Sequence, residues 1–248
     1  MKHLFKLLLA CVPVALIAAC GGGDTEDRLD VADPAVRFVH ASALAPNLTL
    51  ARANVALPEA TNAAYKFASN YVDIPMGAAD WQVKTADASA TTLGTVPIDP
   101  ARGTKYTIVA VPGTPSGTST YLIVDPYNKP LGSESTRLRI MNAAPASVDL
   151  YVNAPGADIS PASVTPFIAG TAYKTSGPAS GSDSLDIVGG TYQATVTAAG
   201  SKTVLFRGTI AFNANKDVLL IAVPDATTGV KLLMKIEGTA GAVDVPAV

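Results

Sequence analysis

Two cysteines, two histidines and 6% aromatics in 248 residues leave little material for several kinds of chemistry. The cysteines are Cys11 and Cys20 and the histidines His3 and His40. Zinc sites and nucleophilic triads draw on more than one His or Cys, so both are disfavoured. Charge is scarce too, at 15% of residues, and its balance is slightly acidic. A protein that neutralises phosphates needs a basic face, so nucleic acid is not an expected partner. No Gly-x-Ser-x-Gly, phosphate-binding glycine loop, His-Glu-x-x-His or Cys-x-x-Cys motif occurs, and no cofactor is expected. Helical patterning is missing as well, which excludes a doubly wound α/β fold.

What is present begins at the amino terminus. Lys2 and Lys6 precede thirteen uncharged residues, Leu7 to Ala19. That is the pattern of a signal peptide, and the run is too short to span a bilayer. It closes on Leu16-Ile17-Ala18-Ala19-Cys20, which resembles the bacterial lipobox. The resemblance implies cleavage after residue 19 and a diacylglycerol on the Cys20 thiol, so the mature chain is expected to join the membrane through an N-terminal lipid anchor. Cys11 leaves with the signal and Cys20 is consumed by lipid, so no disulfide is available and the fold must rest on an apolar core. Gly21, in place of Asp, implies the outer membrane if the source is Gram-negative. Residues 20–34 are rich in glycine and then in acidic side chains, and they read as a flexible tether.

Beyond Pro34 the chain is rich in Val, Thr, Ile and Ala and is punctuated by Gly and Pro. Candidate strands are Val36 to His40, Leu48 to Arg52, Tyr71 to Ile74, Trp81 to Thr85, Tyr106 to Val111 and Thr120 to Val124. Short strands at such spacing predict an all-β fold of antiparallel sandwiches.

The chain also repeats itself. Val36-Arg37-Phe38-Val39-His40-Ala41 matches Leu138-Arg139-Ile140-Met141-Asn142-Ala143, and Ala64-Tyr65-Lys66 matches Ala172-Tyr173-Lys174. Val72-Asp73-Ile74 matches Leu185-Asp186-Ile187, and Ile108 to Pro112 matches Leu220 to Pro224. Four matches in one order predict two tandem sandwich domains, over residues 35–130 and 136–240. The short link between them predicts a bent rod.

The opening Arg37-Phe38-Val39-His40-Ala41-Ser42-Ala43-Leu44-Ala45-Pro46 resembles the family catalogued as domain of unknown function 4397. The second copy supplies that family's next strand as Val148-Asp149-Leu150-Tyr151-Val152, with Asn142 where the His belongs. The resemblance implies an exported bacterial protein with immunoglobulin-like β domains and no established activity. The copies disagree at the polar positions, so no catalytic residue is carried over.

His40 is expected to hydrogen-bond the backbone of the following Ala-Pro loop. Trp81 aligns with Tyr192 as a core aromatic kept in both copies. Asp186 repeats Asp73, which favours a shared fold position over a cation site with Asp183. An aromatic platform for sugars would have to come from Tyr121, Tyr127 or Tyr151. The leading expectation is a lipid-anchored envelope protein, not an enzyme, that acts as a scaffold or interaction module with another envelope protein. A glycan binder is the alternative, and a carboxylate-dependent hydrolase is a remote third.

Overall fold

The computed structural model describes residues 32–114, 116–127, 132–227 and 229–248. The predicted signal sequence, Cys20 and nearly all of the predicted tether lie outside them. The described chain is all-β and of sandwich type.

The first half forms two sheets. Strands β1 (Ala35–His40), β4 (Val72–Asp73), β7 (Lys105–Pro112) and β8 (Thr118–Asp125) run in the order β4-β1-β7-β8. Strands β2 (Leu48–Arg52), β3 (Val55–Ala56), β5 (Ala79–Thr85) and β6 (Thr92–Ile98) run in the order β3-β2-β5-β6. Between the sheets lies a core that includes Phe38, Leu48, Leu50, Trp81, Val83 and Ile108.

The second half repeats the arrangement. Its first sheet is built on β9 (Ser135–Asn142), flanked by β12 (Thr175–Gly177) and β13 (Leu185–Val188), then β16 (Lys216–Asp225), β17 (Gly229–Ile236) and β18 (Val243–Asp244). Its second sheet orders β11 (Ile168–Thr171), β10 (Val148–Asn153), β14 (Gly190–Ala198) and β15 (Val204–Phe212) as β11-β10-β14-β15. Leu150, Val196, Phe206 and Leu220 are in the core between them.

The repetition extends to register. Phe38 lies beside Ile108 in the first half and Ile140 beside Leu220 in the second. Val72 pairs with Val36, and Leu185 with Leu138. Asp73 and Asp186 therefore do occupy one fold position, each at the start of its sheet. β8 ends at Asp125 and β9 begins at Ser135, while the second half continues past residue 240 into β18 and a bridge between Gly208 and Ala247.

Two features depart from expectation. The central pairs β1–β7 and β9–β16 are parallel, not antiparallel. The two sandwiches also pack face to face instead of forming a bent rod. Val39, Val109, Val111 and Ile123 of the first half meet Met141, Leu219, Ile221 and Val223 of the second in a third apolar layer. The molecule is thus a stack of four sheets whose two inner sheets are covered on both faces. Every residue of β1 is buried, as are Thr136 to Asn142 of β9. This is the environment in which parallel strands with unbroken apolar runs occur, and Leu219-Leu220-Ile221-Ala222-Val223 is such a run.

Strand β6 was not legible as a strand because it contains Gly94 and Pro97. A Cβ at position 94 would lie 2.5 Å from Cγ2 of Thr120 on β8, so close approach of the two sheets requires the glycine. Pro97 is tolerated because β6 ends the sheet order.

Candidate functional site

The carboxyl ends of β1 and β9 carry the polar pair that distinguishes the repeats. His40 is fully buried. The Ser42 N–H donates to its Nδ1 (3.3 Å), so Nε2 carries the ring proton and donates to the Pro46 carbonyl (3.1 Å). Asn142 does the same work with an amide. Its Oδ1 accepts from Ala144 N–H (2.9 Å), and its Nδ2 donates to the carbonyls of Ala146 (2.7 Å) and Thr171 (2.9 Å). Both side chains pin the loop that follows their strand, as expected of His40. Burial above all lowers the His40 pKa, against an upward pull from the Pro46 bond.

The sign of the pH effect follows. An unfolded histidine takes up a proton near pH 6.5, and the folded ring does so only at lower pH. Stability from this site is therefore complete above about pH 6.5 and declines as pH falls below it. His40→Asn is expected to fold normally and to flatten that decline. His40→Ala leaves buried groups unpaired and is expected to cost roughly 1–3 kcal/mol at neutral pH. Urea unfolding of the three proteins at pH 7.5 and pH 5 checks both statements.

At the amino ends of β1, β7, β9 and β16 the interface between the sandwiches turns from apolar to charged. Period-two alternation aims Arg37, Lys105 and Thr107 from the first half at Arg137, Arg139 and Asp217 from the second. Asp125, at the end of β8, is the hub. Its carboxylate faces Arg139 Nη2 at 3.5 Å and Arg137 Nη2 at 4.0 Å. It also accepts from Ser184 Oγ (3.1 Å) and Tyr127 N–H (3.2 Å). Across the same interface Lys105 Nζ lies 2.7 Å from Glu237 Oε1, and Arg137 reaches Asp183 at 3.5 Å. Asp183 is therefore engaged by a buried arginine and does not join Asp186 at a cation site. Tyr71 and Tyr127 stand between the cations. Lys105 Nζ is 4.8 Å from the Tyr71 ring and 4.2 Å from the Tyr127 ring, with Arg37 and Arg137 each 4.6 Å from one of them.

Asp217 neighbours Glu237 in this cluster. Burial first, and then the Glu237 charge, push the Asp217 carboxyl well above the usual range. At Glu237 burial pushes upward most strongly, but Lys105, Asp217 and Arg37 together hold that carboxyl below the usual range. The two carboxyls are thus pushed in opposite directions, Asp217 up and Glu237 down. Sequence reasoning missed this pair, since nothing in the spacing of residues 217 and 237 shows that β16 and β17 bring them together. Two carboxyls with divided pKa values are the raw material of acid–base hydrolysis. Here Asp217, but not Glu237, lies against a cavity of about 20 Å3, which Arg37 and Arg137 also line. That is room for one water and not for a substrate.

The aromatic candidates for a sugar platform are not exposed. Tyr127 and Tyr151 are buried, and Tyr121 is half-buried at the interface. Lys202 covers the Tyr151 ring at 4.7 Å. Asp149 beside it is already used, accepting from the N–H groups of Gly170 (2.6 Å) and Gly200 (2.8 Å). Among the described residues no group of three or more His, Cys, Asp or Glu side chains is placed to hold a metal ion.

No curated protein matches the chain. A family model described as "Domain of unknown function (DUF4397)" matches residues 34–153, from the start of β1 to the end of β10. Over that stretch, which takes in the whole first sandwich and the two strands that open the second, the chain resembles the DUF4397 family.

Proposed function

We propose that this chain is a lipid-anchored, non-enzymatic protein of the cell envelope whose stacked sandwiches serve as a scaffold or interaction module. The observation that carries the reading is the fate of the charged residues. Among the described residues the Asp217 and Glu237 carboxyls belong to the largely buried charged cluster between the inner sheets, which supports a role in joining the repeats. The anchor rests on the Leu16-Ile17-Ala18-Ala19-Cys20 box, with Gly21 pointing to the outer membrane in a Gram-negative cell.

Mass spectrometry of the membrane-extracted protein tests the anchor. An amino terminus at acylated Cys20 is expected, and Cys20→Ser should leave the precursor uncleaved. An unmodified amino terminus at another residue contradicts it. Crosslinking in intact envelopes followed by capture tests the rest. A specific protein partner is the expected product, and recovery of glycan alone transfers the reading to a glycan-binding lipoprotein.

A further inference from the structure

We infer that the end of the first sandwich from which the N-terminal segment leaves is a membrane-contact face, with Val55 and Met76 as its apolar tips. The inference rests on the acylation of Cys20 proposed above and adds to it a defined orientation on the lipid surface.

Three loops gather at this end. The β2–β3 turn, the β4–β5 loop and the β6–β7 loop all surround the start of β1. The Ile74 N–H donates to the Pro34 carbonyl (2.8 Å), and the Gly103 N–H donates to that of Ala32 (2.8 Å). The emerging chain thus passes directly between two of these loops. Eleven residues separate Cys20 from Ala32. Even fully extended they span at most about 40 Å, so an acylated Cys20 holds this end of the sandwich within about 40 Å of the bilayer.

The same end presents apolar side chains to solvent. Val55 is 72% exposed and Met76 53%. Between them is a depression of about 390 Å3 whose lining includes Leu57, Pro58, Ile74 and Pro75. The tip is held rigidly. Ala53 and Asn54 both have positive φ (46° and 68°), the signature of a tight hairpin turn, and they project Val55 outward. The turn is fixed by bonds from Ala53 N–H to the Asp80 carbonyl (2.8 Å) and from Asn54 N–H to Gln82 Oε1 (2.9 Å). Arg52 Nη2 ties it to the Gly77 carbonyl (2.9 Å), next to Met76.

The second repeat builds the equivalent hairpin turn differently. Its Gln193 Oε1 accepts from Gly156 N–H (3.1 Å), as Gln82 does from Asn54, but the turn there reads Asn153-Ala154-Pro155-Gly156 and presents no large apolar side chain. At the loop that matches Met76 the second repeat exposes Val188 (62%), so the hairpin tip at Val55, and not apolar exposure as such, sets the first repeat apart. The exposed charges around it are of both signs, Asp33, Asp73, Asp80 and Arg102 among them, so a zwitterionic lipid surface is the partner that fits, without a requirement for anionic lipid.

The test uses acylated protein, purified from membranes and reconstituted into phosphatidylcholine vesicles. Cys11 is removed with the signal and Cys20 is blocked, so Val55→Cys supplies a single free thiol for an environment-sensitive dye. Met76→Cys repeats the measurement at the second tip. Leu44→Cys is the control, because Leu44 is 96% exposed in the β1–β2 loop at the far end. Blue-shifted emission and strong quenching by nitroxide lipids are expected at positions 55 and 76 and not at 44. Equal weak quenching at all three sites, in protein that still floats with the vesicles, overturns the contact face and leaves the anchor standing. Failure to float overturns both.

Discussion

Trp81→Ala is expected to destabilise the protein by about 3–5 kcal/mol, the range for truncating a large buried aromatic. Trp81 is 1% exposed, opposite Arg52 on β2 and Val96 on β6, and its ring fills the centre of the first core. Its indole Nε1 is buried without a hydrogen-bond partner. Trp81→Phe therefore keeps much of the apolar volume and removes an unsatisfied donor, and its cost is expected to stay under about 2 kcal/mol. Tyr192, the aligned aromatic, stands differently. It is half-buried against the core and its hydroxyl donates to the Val188 carbonyl (2.8 Å), so truncation there should cost less than at Trp81. Chemical denaturation of the three variants gives the order directly.

Asp125→Ala is the second large effect. Removing this carboxylate strips the hub from two guanidinium groups whose side chains are only 1% and 4% exposed, those of Arg137 and Arg139. Buried ions that lose a partner cost about 3–5 kcal/mol, because the remaining charge stays desolvated. Arg137 keeps Asp183, and Arg139 keeps its bonds to the carbonyls of Pro178, Ala179 and Ser182, so the interface is weakened and not emptied. In a chain of this size the loss corresponds to a fall in Tm on the order of 10 °C. Asp217→Asn should be far milder. Burial and the neighbouring Glu237 charge already push the Asp217 carboxyl toward its neutral form, so a neutral amide changes little there.

The two effects show where the sequence was readable. Alternation and turn residues marked the strands of the first repeat well, and Leu48–Arg52 coincides with the predicted span. The internal matches also located equivalent positions, down to the shared register of Phe38 with Ile108 and of Ile140 with Leu220. The face-to-face stack was harder to see, yet its signal was present. Val109 and Val111 continue the apolar run of β7 on the face away from the first core, and such doubly apolar strands imply a second covering layer. The charged cluster had no local signature. Arg37 and Arg139 matched between the repeats, but Lys105 and Asp217, which occupy matching places in β7 and β16, differ in charge. Only the packed sheets bring Lys105 of one half to Glu237 of the other. The role of His40 was legible from the Pro that follows it, whereas Asn142 as its functional equivalent appears only when both hydrogen-bond sets are compared.

The claim on which the rest depends is that the two repeats are joined through their inner sheets into one cooperative unit. Differential scanning calorimetry of the wild type and of Asp125→Ala tests it most directly. One transition is expected in the wild type, with calorimetric and van't Hoff enthalpies in agreement, and Asp125→Ala should lower the whole transition. Two separate transitions in the wild type, neither of them moved by the substitution, would contradict the account.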